Sequence, residues 1–379
     1  MTDALVDRVR RRLVTEAHPP GRLDAAVRAE SHGIVDDAVF ARLRRDVAAE
    51  LHGAGPLEPL LATPSVTDVL VNAPDSVWID RGHGMERVHV SFADDAAVRR
   101  LAQRLAAAAG RRLDDAAPFV DAVLPDGTRL HAALAPLAPC TTISLRVLAR
   151  RRHDLDSLVA GGAAPAEIAE LLRAVVAARL AFVVTGGTGT GKTTLLGALL
   201  DEIPPTERVL VIEDAAELVA AHPHLVRLVC RGANVEGAGA IGLRELVRQA
   251  LRMRPDRLIV GEFRGAEMVE LLVALNTGHE GSAATLHANS AADVPARFAA
   301  LGALAGLAAP AVTSLVASAI DLVVHLRRGR DGLRAVAEIG MLHRVGDALR
   351  VVPVWDRLTG DGPGAADLRA VLDARVVAP

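Results

Sequence analysis

Two hydrophobic rhythms divide the chain. Over residues 1–50 apolar positions recur at helical spacing, as in Leu5, Val9, Leu13 and then Phe40, Leu43, Val47, which predicts a short helical segment. GAGPLEPLL, Gly53 to Leu61, punctuates it with glycine and proline. The runs VTDVLVN, SVWIDR and RVHVSF then predict short strands, and Ala96 to Ala109 a helix. LPDGTRLHAAL reads as a hairpin turning at Asp126-Gly127, with ISLRVL, Ile143 to Leu148, as one further strand. The charged run ARRRHD, Ala149 to Asp154, reads as a solvated linker. From about residue 155 the rhythm changes. Strands LAFVVTG, RVLVIED, DRLIVGE, SAATLHA and IDLVVHL are apolar on both faces, and helical stretches separate most of them. That alternation predicts a parallel sheet covered by helices. AVAEIGML and ALRVVPVW read as a terminal strand pair. The expected class is α/β: a helical segment over 1–50, a smaller α+β domain over 51–150, and the main domain over 155–379.

Composition and charge bear on this picture in four places. Phe298 to Ile320 carries no charge and is long enough to cross a bilayer. It is mostly alanine and glycine with Pro310, Thr313 and Ser314 inside, so it reads as two helices of a soluble domain. The formal net charge of −3 lacks the footprint of a polybasic nucleic-acid binder. Cys140 and Cys230 form neither a metal spacing nor a disulfide framework, which fits a reducing cytosol. MTDALVDRVRRRLV has no apolar run of the kind a signal peptide needs.

Of the 43 lysines and arginines one is lysine, Lys192. Arginine cannot imitate a compact ammonium at a phosphate, so a lysine spared at one position points to chemistry there. Lys192 lies in GGTGTGKTT, where Gly186, Gly191, Lys192 and Thr193 satisfy G-x-x-x-x-G-K-[ST]. A buried strand, Leu180 to Thr185, leads in, and a helix from Thr193 leads out. Gly186, Gly187, Thr188, Gly189, Thr190, Gly191, Lys192, Thr193 and Thr194 are therefore the expected phosphate cradle for ATP. Backbone N–H groups and the helix N-terminus supply positive charge. Lys192 is expected to reach the β- and γ-phosphates, and the Thr193 hydroxyl to ligate Mg²⁺.

A second apolar strand, Leu258 to Val260, ends in Gly261-Glu262. Glu262 is the candidate for polarising the attacking water, while Gly261 stands where a Mg²⁺-holding Asp is usual. Between the two motifs lies RVLVIEDAAEL, and this extra strand argues for the RecA-like class. Its acids Glu213, Asp214 and Glu217 either order Mg²⁺ or water, or form an acidic turn in which Asp214 caps a helix. In NTGHEGSAATLHANS, Asn276 to Ser290, His279 and His287 flank a short strand without metal spacing. Polar residues there can sense a γ-phosphate, whereas a lone histidine is more often structural.

Together these stretches resemble the secretion (traffic) ATPase superfamily of type II and type IV secretion and pilus machines. GGTGTGKTT is similar to its Walker A, IEDAAEL to its Asp box, LRMRPDRLIVGEFRGAE to its Walker B region and TGHEGSAATLHANS to its His box. GPLEPLL, VTDVLVN, LPDGTRLHAAL and ISLRVL resemble the CpaF-like tight-adherence (Flp) pilus branch, which includes actinobacterial conjugal-transfer-associated ATPases. The resemblance spans roughly residues 50 to 345 and leaves the last thirty unplaced. Thr190 stands where the family often has serine. The resemblance implies a homo-hexamer that hydrolyses ATP and drives an inner-membrane platform protein, acting on pilin-like subunits indirectly, from the cytoplasmic face of the membrane. It implies catalytic parts for Glu262, Glu213 and His287, and phosphate contact by Arg129 and Arg146, with Arg252 and Arg254 matching further family arginines. A conjugative DNA-translocating motor is the alternative. The acidic balance and the scarcity of stacking aromatics argue against direct nucleic-acid binding. A scaffold that binds ATP without hydrolysing it would not need Glu262 and both histidines.

Overall fold

Strands buried on both faces need cover on both sides, and this requirement organises the larger part of the molecule. A computed structural model of the chain describes residues 8–9, 12, 22–30, 40–41, 44–45, 47–49, 53–82, 84–147, 152–233, 238–329 and 331–377. The chain divides into two compact units, residues 1–149 and 150–379.

In the first unit, helix α1 (Arg22–Glu30) and the short α2 (Glu58–Leu61) precede six strands, β1 (Asp68–Ala73), β2 (Ser76–Asp80), β3 (Met85–Val88), β4 (Phe119–Val123), β5 (Arg129–Ala133) and β6 (Thr142–Arg146). They form an antiparallel sheet in the order β3-β2-β1-β6-β5-β4. Helix α3 (Asp95–Ala108) starts where the Asp94 carboxylate accepts the Ala97 N–H at 2.7 Å. It lays Val98, Leu101 and Leu105 into one core with Val69, Val71, Ile79, Leu130 and Leu145. Asp126 Oδ1 accepts the Thr128 N–H at 3.0 Å and Gly127 has φ +92°, closing the hairpin of β4 and β5. The run RVHVSF, expected as a strand, is one only at Arg87 and Val88. Val88 already faces Val77, near the start of its partner β2, so later residues run off that strand. The Phe92 N–H bonds the Pro74 carbonyl instead. Val9, Phe40 and Val47 are buried in helical turns. Leu5, Leu13 and Leu43, most of the expected segment over 1–50, Leu148 of ISLRVL, and Ala149 to Arg151 of the linker lie outside the described residues.

The second unit opens with α4 (Leu155–Ala160) and α5 (Ala166–Ala177). It continues through β7 (Phe182–Gly186), α6 (Lys192–Leu200), β8 (Val209–Glu213), β9 (Leu225–Val229), α7 (Leu243–Ala250), β10 (Arg257–Phe263), α8 (Glu267–Leu275) and β11 (Ala283–Leu286). It ends with α9 (Val294–Leu304), α10 (Ala309–Ala319), β12 (Leu322–Arg328), β13 (Arg334–Val345), β14 (Ala348–Asp356), β15 (Gly360–Asp361) and α11 (Ala365–Val377). The sheet order is β15-β14-β13-β12-β7-β11-β10-β8-β9. From β12 to β9 every pair is parallel, and β13 to β15 extend it antiparallel. Two hydrophobic cores fill its two faces. The uncharged stretch is the pair α9 and α10, which pack so closely that a Cβ on Gly302 would lie 2.2 Å from Val312 Cγ2. Among the described residues no helix is long and apolar enough to cross a membrane. The last thirty residues, unplaced from sequence, include α11, whose Leu368 and Leu372 belong to the core that also holds α5 and α6. Strand β9 was not expected, because LVRLV is a half-exposed edge strand with too few apolar positions to stand out.

Helix α6 is buried along almost its whole length, and a Cβ on Gly197 would stand 2.5 Å from the Val219 carbonyl oxygen. Backbone cannot yield there as a side chain would. Gly197→Ala is expected to lower unfolding free energy by about 1–3 kcal/mol, read as a shifted denaturation midpoint with an unchanged m-value.

Candidate nucleotide and hydrolysis site

Strand β7 carries the chain through the middle of the sheet, every residue buried, and delivers it to the glycine-rich loop. The conformation there admits only glycine at several steps: Gly186, Gly189 and Gly191 have φ of +145°, +71° and +94°. A Cβ on Gly186 would also meet the Leu326 carbonyl oxygen at 2.5 Å. Gly187, Thr188 and Gly189 are exposed, while Thr190 is buried with its hydroxyl donating to the Gly187 carbonyl at 2.9 Å. Gly191 precedes the first turn of α6, so the unpaired N–H groups of Lys192, Thr193 and Thr194 open onto the loop. The Lys192 ammonium donates to the Gly186 and Gly187 carbonyls at 3.1 and 2.8 Å. Burial lowers its pKa, with Glu262 opposing that shift. This cradle fits a chain of phosphates. Among the described residues no group of three or more His, Cys, Asp or Glu could hold a metal on its own. The Thr193 hydroxyl, in the first turn of α6, is of the kind that would hold a nucleotide-linked Mg²⁺ together with phosphate oxygens.

Opposite the loop lies a row of charged groups from three strand tips. Ile259 and Val260 of β10 pair with Ala283 and Ala284 of β11, and Phe263 pairs with Leu286. Gly261 and Glu262 thus oppose Thr285 alone, a bulge that re-aims the strand end. The Thr285 hydroxyl donates to the Gly261 carbonyl at 2.6 Å and fixes the bulge. His287, just past β11, brings Nε2 to 2.8 Å from Glu262 Oε1. That contact is an ion-pair distance without hydrogen-bond geometry, and the Lys192 ammonium lies within hydrogen-bond reach of the same Nε2, at 3.4 Å. Burial, and then Lys192, lower the His287 pKa, which favours the neutral ring. Arg264 completes the row, with Nη2 and Nε at 2.7 and 3.0 Å from Glu262 Oε2 and Nη1 at 3.4 Å from Asp214 Oδ2.

The chain matches the family described as "Type II/IV secretion system protein" over residues 50–333. It belongs to that family. A Mycobacterium tuberculosis protein named "Putative conjugal transfer protein Rv3659c" is 54% identical over 350 residues, 90% of this chain and 99% of that one. The Type IV secretion system protein PtlH of Bordetella pertussis is 33% identical over 317 residues, 75% of this chain and 92% of its own. A solved structure of the pilus retraction motor PilT with bound ADP is 18% identical with a TM-score of 0.53, covering 84% of this chain and 85% of that one, a likeness of fold. The second unit is accordingly the RecA-like core of a type II/IV secretion protein.

Of the residues singled out from sequence, Gly186 to Thr194, Glu262 and His287 come together in this secretion-family core. Glu213, at the tip of β8, is buried behind them. Its Oε1 accepts the N–H groups of Glu217 and Leu218 at 3.0 and 2.7 Å, and its Oε2 is 3.1 Å from Arg227 Nε, at an angle that makes an ion pair without a hydrogen bond. Burial raises the Glu213 pKa against those bonds. The reading of Asp214 as a helix cap is corrected: no helix follows β8, and residues 214–218 fold back onto Glu213. His279 packs as a turn residue, with Nδ1 3.1 Å from the Ala274 carbonyl. Arg129 and Arg146 lie in the other unit, directly opposite each other on β5 and β6, with Arg146 Nε 3.1 Å from Asp68 Oδ1. Arg252 and Arg254 are exposed beside α7.

Two residues escaped the sequence reading. Arg264 stands two places after Glu262, and that spacing was the available signal. His325 sits inside IDLVVHL, where it reads as one polar interruption of a buried strand. It is 1% exposed, and its Nδ1 lies 2.9 Å from the hydroxyl of Thr185, the residue before the cradle.

Gly261 has a steric reason to lack a side chain, since a Cβ there would lie 3.0 Å from Glu213 Cγ. Gly261→Asp is expected to push Glu213 off its backbone partners and to lower stability by about 1–3 kcal/mol, measured by denaturant unfolding. His325 yields a pH prediction. Burial first, and then Arg327, depress its pKa to about 4 from an ordinary 6.5. The unfolded chain therefore takes up the proton first, and stability present above pH 6.5 declines as pH falls toward 4. In unfolding curves across that window, His325→Gln is expected to flatten the slope.

Proposed function

We propose that this secretion-family protein is an ATP hydrolase of the motor type. The observation that carries the reading is Glu262, fixed at a bulged strand tip between His287 and Arg264 and facing the Lys192 cradle. Gly186 to Thr194 bind the phosphates of ATP, Lys192 neutralises the β- and γ-phosphates, and the Thr193 hydroxyl holds Mg²⁺. The metal supplies charge neutralisation at the phosphates. Glu262 accepts a hydrogen bond from the attacking water and takes its proton as the water oxygen bonds the γ-phosphorus, whose bond to the β–γ bridging oxygen breaks to release ADP. His287 orients Glu262 and reads the state of the phosphate. Glu213 holds the neighbouring turn. Arg129 and Arg146 offer two adjacent cations from the α+β domain over 51–150, and in a homo-hexamer they stabilise charge on the transferring phosphoryl group. The ring works at the cytoplasmic face of the membrane on an inner-membrane platform protein, which moves pilin-like subunits. The family assignment and the fold likeness to the pilus retraction motor PilT support a motor reading.

The relative named for conjugal transfer favours a second reading, DNA translocation. Strong, salt-dependent binding of single- or double-stranded DNA in a filter assay would support that reading; weak binding favours the platform motor.

Mg²⁺-dependent ATP hydrolysis should rise per subunit with protein concentration and vanish in Lys192→Ala. Glu262→Gln should bind nucleotide as wild type does and lose at least about a hundredfold in turnover. Normal turnover in Glu262→Gln would remove that residue from its role.

A further inference from the structure

The Glu262 carboxylate is held more completely than a solvated strand end requires. Ionised, it offers two oxygens and about four lone-pair sites. The Arg264 guanidinium donates twice to Oε2, and His287 Nε2 stands at ion-pair distance, 2.8 Å, from Oε1. What remains open for hydrogen bonding lies on Oε1, the oxygen beside His287 Nε2, which in turn neighbours the Lys192 ammonium.

Arg264 is not placed by packing, since its side chain is 54% exposed. Its backbone is pinned instead: the N–H groups of Arg264 and Gly265 both donate to Glu267 Oε1, at 2.6 and 2.7 Å, on the first turn of α8. From that anchored loop the guanidinium spans two carboxylates, Glu262 from the tip of β10 and Asp214 from the residue after β8. An exposed arginine paired with one carboxylate contributes little and wanders. One that gives two N–H groups to the same carboxylate oxygen and reaches a second acid is held at more than one point.

We propose that Arg264, braced on Asp214, is a positioning residue for hydrolysis: it occupies Oε2 of the Glu262 carboxylate so that its open lone pairs lie on Oε1, on the side of His287 and the phosphate cradle. The inference rests on the reading of Glu262 as the group that orients water. It differs from a role in which Arg264 leaves Glu262 and touches phosphate itself. Lysine in its place would keep the charge and lose the planar two-point grip.

The test is a double-mutant cycle on the full-length protein. Single-turnover hydrolysis of radiolabelled ATP reads the rate, so that slow variants remain measurable, and a fluorescent ADP analogue reads affinity. Arg264→Ala should lower the rate about ten- to a hundredfold and leave nucleotide affinity and melting temperature unchanged. Arg264→Lys should recover part of that rate, and Asp214→Asn should show a smaller fall. On a Glu262→Gln background Arg264→Ala should cause no further fall, because it acts only through that carboxylate. An equal fall on both backgrounds, or a loss of nucleotide affinity, would overturn the proposal in favour of direct phosphate contact. An unchanged rate in Arg264→Ala with Glu262→Gln inactive would sink the clamp alone. Wild-type turnover in Glu262→Gln would sink the water-orienting reading and the clamp with it.

Discussion

Everything at the site depends on how closely strand β12 approaches the end of β7. Leu326 pairs with Gly186, and its carbonyl stands where any Cβ on residue 186 would fall. That contact fixes the exit of the central strand and therefore the height at which the loop begins. The loop then turns through left-handed glycines into α6, whose buried length cannot slide because Gly197 rests on the Val219 carbonyl. A phosphate cradle is a set of backbone N–H groups, and their aim is only as good as the backbone that carries them.

Sheet order does the rest. Strand β7 has β12 on one side and β11 on the other, while β8 and β10 lie beyond β11. The tips of β11, β10 and β8 therefore stand in a row beside the loop, and in parallel α/β sheets ligands gather at such ends. His287, Glu262 and Asp214 come from those three tips in that order. Residues distant in sequence thus meet without any long excursion of chain.

This row was only half legible in the sequence. The cradle was readable because its spacing, its flanking strand and helix, and its lone lysine all name the same chemistry. Glu262 was readable as an acid at the end of an apolar run. The bulge that aims it leaves no mark in composition, since it arises from pairing with β11. Arg264 was one arginine among many, and only the meeting of β8 with β10 gives it two carboxylates to hold. His325 was hidden by the opposite effect, a polar residue made inconspicuous by apolar neighbours on a strand buried on both faces. Of the two readings open for Asp214, the helix cap fails. An acid after a strand looks like a helix cap, but the backbone that follows is satisfied by Glu213 and forms no helix.

Glu213 and Gly261 also explain why the second motif ends in Gly-Glu. The two positions lie side by side on paired strands, and there is room for one side chain between them. Glu213 occupies it, buried, with two backbone N–H bonds and Arg227 offsetting the loss of water. An Asp at 261 would place a second carboxylate against the first, and like charges at that separation inside the protein cannot both stay ionised at small cost. A glycine there keeps one carboxylate for the turn and leaves Glu262 alone at the water-facing edge of the bulge.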